Sequence, residues 1–445
     1  MKPENIHVSQ ILSSYIQNSK YGHLRNDVIH EAKRAWINWI ACAVGASHHP
    51  TVEYAWQALK PYAGSEQAIL LGRNEKTDIL TATLLNGVSS HVLDFDDTHP
   101  QAMVHPSSPV APAVLALCEH HNRSGEDLIN AFVVGVEVEC RIARAVLPSH
   151  YDIGWHITST AGVFGSAAAS ARLCGLNIVQ TQWALGLAAT QASGLREMFG
   201  SMAKSLHPGK AAQNGLSSAL LAQQNFTSSE SGIEGKRGFA HVLSETVNLN
   251  ECVSQLGERY DLLGNTYKPF ACGLVLHPVI DACIELRNIH KIPVNQISAI
   301  ELIVHPKVLE LTGKLKPKTG LEGKFSFYHA AAVSMVDGAG GELQFQDARV
   351  NSSDVVELRA KVSAVVHEEM PMHAARLTAT LLDGKKIQIQ IDDCVGSQKK
   401  PMSDGDISNK FIALCADVWG ESKTENILKE FWSLEKISSF SELLS

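Results

Sequence analysis

A chain of 445 residues with 45% hydrophobic and 19% charged residues is long enough for two buried cores and too apolar to be disordered. Its formal net charge of -8 and the absence of a dense Lys/Arg run exclude the electrostatic footprint of a nucleic-acid binder. An anionic ligand would therefore need a local cluster of cations set against the overall field. The nine scattered cysteines form no CxxC pair, which excludes a disulfide framework or zinc ribbon and predicts a reducing, cytoplasmic setting. The N-terminal stretch does not resemble a signal peptide, and no run of about 18 apolar residues predicts a membrane span.

To about residue 265 the periodicity is helical. Asn26 and Asp27 are cap candidates before an apolar stripe of Val28, Ala32, Ala35, Trp36, Trp39, Ile40 and Ala43 that ends at Gly45. A second helix is predicted from Thr77 to His91, and a third from Gly125 to Leu147, stopped by Pro148. The stretches Thr158 to Leu173, Trp183 to Gly194 and Lys210 to Ala222 are rich in Gly, Ala and Ser, which predicts central helices packed at close range.

Near Lys268 the texture changes. Ile297 to His305 alternates and is β-branched, while Arg376 to Leu382 and Lys385 to Ile391 flank Asp383-Gly384, a pattern that predicts a hairpin with a type I′ turn. Helices are predicted over Phe325 to Val336 and Asp354 to Val362. From Ser403, with Asp406 as a cap candidate, helical periodicity returns. The expectation is a mainly α fold with a discontinuous helical domain, residues 1–267 and 403–445, and a smaller α+β lid, residues 268–402.

Five segments carry candidate chemistry. Between a helix and a Pro-rich break lie His91, Asp94, Asp96, Asp97, Thr98, His99 and His105, a loop set that serves either a site or, for Asp94 and Asp97, helix capping. The aspartates and histidines invite a metal reading, but no HExxH, EF-hand or paired Cys/His spacing completes it, so no metal is expected. His156 precedes a small-residue helix whose first turn holds Thr158 and Ser159, a helix end suited to a carboxylate. Lys204, His207 and Lys210 open an otherwise uncharged helix. His277 marks the domain boundary, and Tyr328 with His329 lies in the predicted lid. No GxGxxG after a strand, Walker loop or GxSxG elbow is present, which disfavours nucleotide and flavin cofactors.

Taken in order, DFDDTHPQAMVHPSSPV, GWHITSTAG, MAKSLHPGKAAQNG, KPFACGLVLHPVIDA and KFSFYHAAAVSMVDG resemble the MmgE/PrpD family over nearly the whole chain. That family includes 2-methylcitrate dehydratase, cis-aconitate decarboxylase and iminodisuccinate epimerase. The resemblance implies a helical domain with an α+β lid, a homodimer, no metal and no cofactor. It also implies an active site of Asp94, Thr98, His105, His156, Lys204 and His277. In the lid, Ser326, Phe327, Tyr328 and His329 stand where the decarboxylase carries SFQY, so His329 replaces a tyrosine. The shared chemistry moves a proton on carbon next to a carboxylate, which needs a near-neutral acid/base and fixed positive charge. On this basis His105, His156, Lys204 and Asp94 are the expected catalytic groups, and Thr98, His207, His277, His329 and Tyr328 the substrate-binding ones. The substrate is a small polycarboxylate. A 2-methylcitrate dehydratase-like lyase leads, ahead of cis-aconitate decarboxylase-like or iminodisuccinate epimerase-like activity and of a catalytically silent polycarboxylate binder.

Overall fold

The computed structural model describes residues 6–440, and they form a mainly helical fold with a small α+β part. The stripe that begins at Val28 builds the Asn26–Gly45 helix, in which Trp36 and Trp39 are fully buried. Its N-cap is Arg25 rather than Asn26 or Asp27; Asp27 sits in the first turn, where its carboxylate accepts from the Val28 amide. Gly45 does not end the helix through a left-handed cap. A Cβ there would lie 3.0 Å from that of Leu414, so glycine admits the close approach of the Asp404–Trp419 helix, which Ser403 and Asp406 start with a capping box. Ile407, Phe411 and Phe431 join the same core as Trp36 and Phe132, which docks the C-terminal helices on the first half of the chain.

At the centre the helices Ile79–Val92, Ser107–His120, Gly125–Val146, Gly162–Leu173 and Ala203–Gln223 are buried along most of their length. Their small residues are contact points. A Cβ on Gly209 would meet the Leu84 carbonyl at 2.5 Å, and one on Gly215 would meet Ser166 Cβ at 2.4 Å. Backbone is thus packed on backbone, and this brings the helix bearing Lys204 against the helix that ends at His91 and Val92.

The α+β part is a four-stranded sheet in the order Val362–Val366, Ile297–Val304, Ala375–Leu381, Lys386–Ile391. The first pair is parallel and the others antiparallel. Helices His277–Asn288 and Phe327–Asp337 share its core. Two expectations are corrected here. The predicted Asp354 to Val362 helix stops at Arg359, and Val362 instead opens an edge strand beside Ile300; its β-branched residues pack on a pleated surface. At the hairpin only Gly384 takes a positive φ, 86°. Leu381 accepts from the Gly384 amide and donates to the Lys385 carbonyl, so the link is a three-residue turn with a glycine bulge rather than type I′.

Cys42, Ala46, Val92, Leu93 and Phe95 belong to the core of the α+β part although they lie in the helical half of the chain. The segment after the Ile79–Val92 helix therefore runs along the seam where the two cores meet. Among the described residues no helix is long and apolar enough to cross a membrane.

Because the helix crossing leaves no room for a side chain, Gly209→Ala should lose about 1–3 kcal/mol of stability. Gly22→Ala, with nothing within 4 Å of the added Cβ, should stay within about 0.5 kcal/mol of the parent. Chemical denaturation of both variants checks this, and equal stability of the two would refute the close-packing account.

Candidate active site

A cavity of 300 Å³ opens at the seam. Its walls are largely apolar, with Met103, Phe199, Leu274, Leu311, Phe325 and Met372, and its polar groups are Asp94, Thr98, His105, His156, Lys204 and Lys268 among others. Apolar walls with few convergent polar groups are the usual form of a small-molecule site.

Asp94 is the pivot. It follows the helix in a left-handed conformation with φ 50°, uncommon for a residue with a side chain. Its Oδ1 accepts from Lys204 Nζ at 2.7 Å and Lys268 Nζ at 3.1 Å, and its backbone carbonyl accepts from Lys268 at 3.0 Å. All three residues are buried. Burial alone would raise the Asp94 pKa, but the two ammonium groups hold it well below the carboxylate range. Asp94, expected among the catalytic groups, is thus placed as the counter-ion of the two lysines rather than as a proton carrier. Lys204 and Lys268 thus share the Asp94 carboxylate, and the charge of Asp96 also acts on Lys204. Lys204 makes only its bond to Asp94 and lies 5.6 and 5.3 Å from the rings of Phe199 and Phe325, which leaves two N–H donors for a ligand.

Asp96 organises the histidines. Its Oδ2 lies 2.7 Å from His91 Nδ1 and accepts from Ser108 Oγ at 2.6 Å, while its Oδ1 lies 3.2 Å from His105 Nδ1. That places an anion beside His105 Nδ1, although neither of the two atoms has a hydrogen-bond partner, and His105 lines the cavity. Burial lowers the His105 pKa below its ordinary 6.5, and Asp96 opposes the shift. His156 differs because it has no anionic partner. Its Nδ1 lies 2.9 Å from His207 Nδ1, and burial together with Lys204 and His207 holds it well below 6.5. Near neutral pH His156 is a neutral imidazole, whereas His105 is the one placed to carry a proton.

His91, Asp96 and His105 offer three ligand atoms within 4.8 Å of one another. Of these contacts only that between His91 and Asp96 is a hydrogen bond, while Asp96 Oδ1 and His105 Nδ1 have no hydrogen-bond partner. Asp97, the other cap candidate, instead takes hydrogen bonds from Ser107 and Asn265, and burial pushes its pKa up to about 7.

Other sequence candidates lie elsewhere. Thr98 lines the cavity, but its hydroxyl pairs with that of Thr266 at 2.8 Å. His207 stands behind His156 and does not line the cavity; burial and Lys204 lower its pKa to about 4. His277 is buried against Phe270, and burial with the charge of Lys268 lowers its pKa to about 3. His329 packs on Phe345 with Nε2 at 2.9 Å from the Gln344 carbonyl, and Tyr328 packs on Phe327. Neither reaches the cavity, so substrate contact by His277, His329 or Tyr328 is not what this geometry supports. Sequence reasoning missed Lys268 and the role of Asp96. A single lysine in the apolar run from Tyr267 to Leu276 was the available signal for Lys268.

A seam cavity with cations and paired histidines is a candidate enzyme site, and comparison with known proteins gives the class of protein. The family model for the MmgE/PrpD N-terminal domain matches residues 10–251, and that for the MmgE/PrpD C-terminal domain matches residues 270–436. The chain belongs to the MmgE/PrpD family. It is 27% identical to cis-aconitate decarboxylase of Homo sapiens over 454 residues, covering 98% of this chain and 93% of that protein. Similar matches are cis-aconitate decarboxylase of Mus musculus, 28% identical with 98% and 92% covered, and that of Aspergillus terreus, 27% identical with 98% and 95% covered.

Removing the shared counter-ion should be costly, because Asp94→Asn leaves two buried ammonium groups facing each other. A loss of about 3–5 kcal/mol is expected at neutral pH. Burial already lowers the Lys204 pKa, and without the Asp94 charge it falls further, so the unfolded state binds more protons and stability rises with pH until Lys204 is neutral in both states. Denaturation at pH 7 and pH 10 reads this, and a deficit equal at both pH values would contradict it.

Proposed function

We propose that the protein is a cofactor-independent lyase that decarboxylates a small unsaturated tricarboxylate of the cis-aconitate class. The observation that carries this is the pair of buried lysines sharing one aspartate beside two cavity histidines. Lys204 and Lys268 supply fixed positive charge to a substrate carboxylate, and each charge-assisted hydrogen bond contributes about 1.5–3 kcal/mol. The apolar wall of Phe199, Phe325, Leu311 and Met372 excludes water around a second carboxylate, the condition under which its charge is least stabilised and CO2 most readily lost.

In the reaction the bond to the leaving carboxylate breaks and its electron pair forms a new double bond. The electrons of the original double bond take a proton at carbon. His105 is the proton donor in this account, since Asp96 stabilises its imidazolium, and His156, a neutral imidazole, orients the ligand by donating its ring N–H to a carboxylate. The α+β part, residues 268–402, serves as a lid that contributes Lys268 and Phe325. Dehydration of a 2-methylcitrate-like acid, favoured by the motifs, becomes the second reading because the matched relatives are decarboxylases. A homodimer is part of the proposal and is read from solution mass.

Incubation with cis-aconitate and with 2-methylcitrate in deuterated water, followed by NMR, tests the reading. A decarboxylated product carrying one deuterium is expected. Lys204→Ala should weaken binding and turnover together, while His105→Ala should lower kcat about 10²–10⁴-fold. Since burial holds His105 below 6.5, its proton-bearing form grows as pH falls, and kcat should rise from about pH 8 towards pH 6. Thermal stabilisation by these acids with no product or exchange would make the protein a binder and refute the proposal.

A further inference from the structure

Two further buried lysines lie just outside the cavity. Lys324, from the α+β part, donates to the carbonyls of Leu93 and Ala271, both at 2.8 Å, and to Glu342. Lys410, from the Asp404–Trp419 helix, donates to the carbonyls of Phe95 at 2.6 Å and Lys268 at 2.9 Å, and to Asn38 Oδ1 at 2.8 Å. Neither lines the cavity, and the three hydrogen-bond donors of each ammonium are all used.

Their targets form a pattern. Leu93, Asp94 and Phe95 are consecutive, and each carbonyl accepts from a different buried lysine: Lys324, Lys268 and Lys410. Lys324 and Lys410 each also reach across to the segment that carries Lys268, at Ala271 and at Lys268 itself. The two chain segments whose side chains meet in the Asp94–Lys268 ion pair are thus tied together on both sides of that pair. Carbonyl groups in a buried, non-helical segment need donors. Backbone amides could serve, yet here the donors come from three separate parts of the chain.

We propose that Lys324 and Lys410 are positioning residues that hold Asp94 in its left-handed conformation and so set where Lys204 and Lys268 present their remaining donors. This rests on the reading of the cavity as a lyase site, because only then does displacement of Asp94 change turnover. A shift of about 1 Å in a positioning group can cost about 10²-fold in rate. A surface lysine or a simple core-filling side chain would not do so.

The test uses the full chain with Lys324→Met and Lys410→Met, which keep length and remove the ammonium. Each should lower kcat for cis-aconitate about 10- to 100-fold, raise KM with it because the displaced lysines bind the substrate carboxylate, and retain a cooperative unfolding transition. A crystal structure of either variant should show Asp94 out of positive φ and the Lys204–Asp94 separation beyond about 4 Å. Unchanged kcat with Asp94 in place overturns the proposal, as does failure of both variants to fold, which would assign the lysines to stability alone. If the parent turns over no polycarboxylate, the functional reading fails, and the conformation of Asp94 in the variant structures still decides the positioning role.

Discussion

A single buried carboxylate faces two ammonium groups, and the rest of the site is arranged around that imbalance. Charge in a low-dielectric seam is expensive unless paired. Asp94 pairs with Lys204 and Lys268 together, so the two ammonium groups share one carboxylate. On the proposed reading, an anion entering the cavity gives the second lysine a partner of its own. The protein carries a net charge of -8, so these local cations would do what the overall field cannot.

The fold explains how the cluster is held. Glycine contacts such as Gly209 on the Leu84 carbonyl and Gly87 on Gly209 bring the helices of Lys204 and His91 within reach. Asp94 then leaves its helix in an unusual conformation at the meeting point of two cores. The same loop supplies Asp96, whose carboxylate lies beside His105 Nδ1. Charge placement and proton placement thus come from residues two apart in sequence, and displacing one would displace both.

Much of this was legible beforehand. The 3.6-residue stripe and the small-residue runs gave the helices, and the clusters around Asp94, His156 and Lys204 gave most of the polar lining, because charged side chains in apolar surroundings stand out. Other features depend on tertiary context. Val362 reads as the end of a helix until the Ile297–Val304 strand lies beside it. Asp94 and Asp96 look equivalent in sequence, and only their partners, lysines for one and histidines for the other, separate their roles. Lys268 carried too little local signal to be chosen. His277, His329 and Tyr328 lie in family motifs, but motif membership does not tell a cavity wall from the packing behind it.

A crystal structure of the protein with citrate, a tricarboxylate that lacks the double bond the proposed decarboxylation uses, tests the central claim most directly. The account predicts a citrate carboxylate within hydrogen-bond distance of both Lys204 Nζ and Lys268 Nζ, with Asp94 still between them. Citrate bound elsewhere, or a cavity that holds no anion at millimolar citrate, would contradict it.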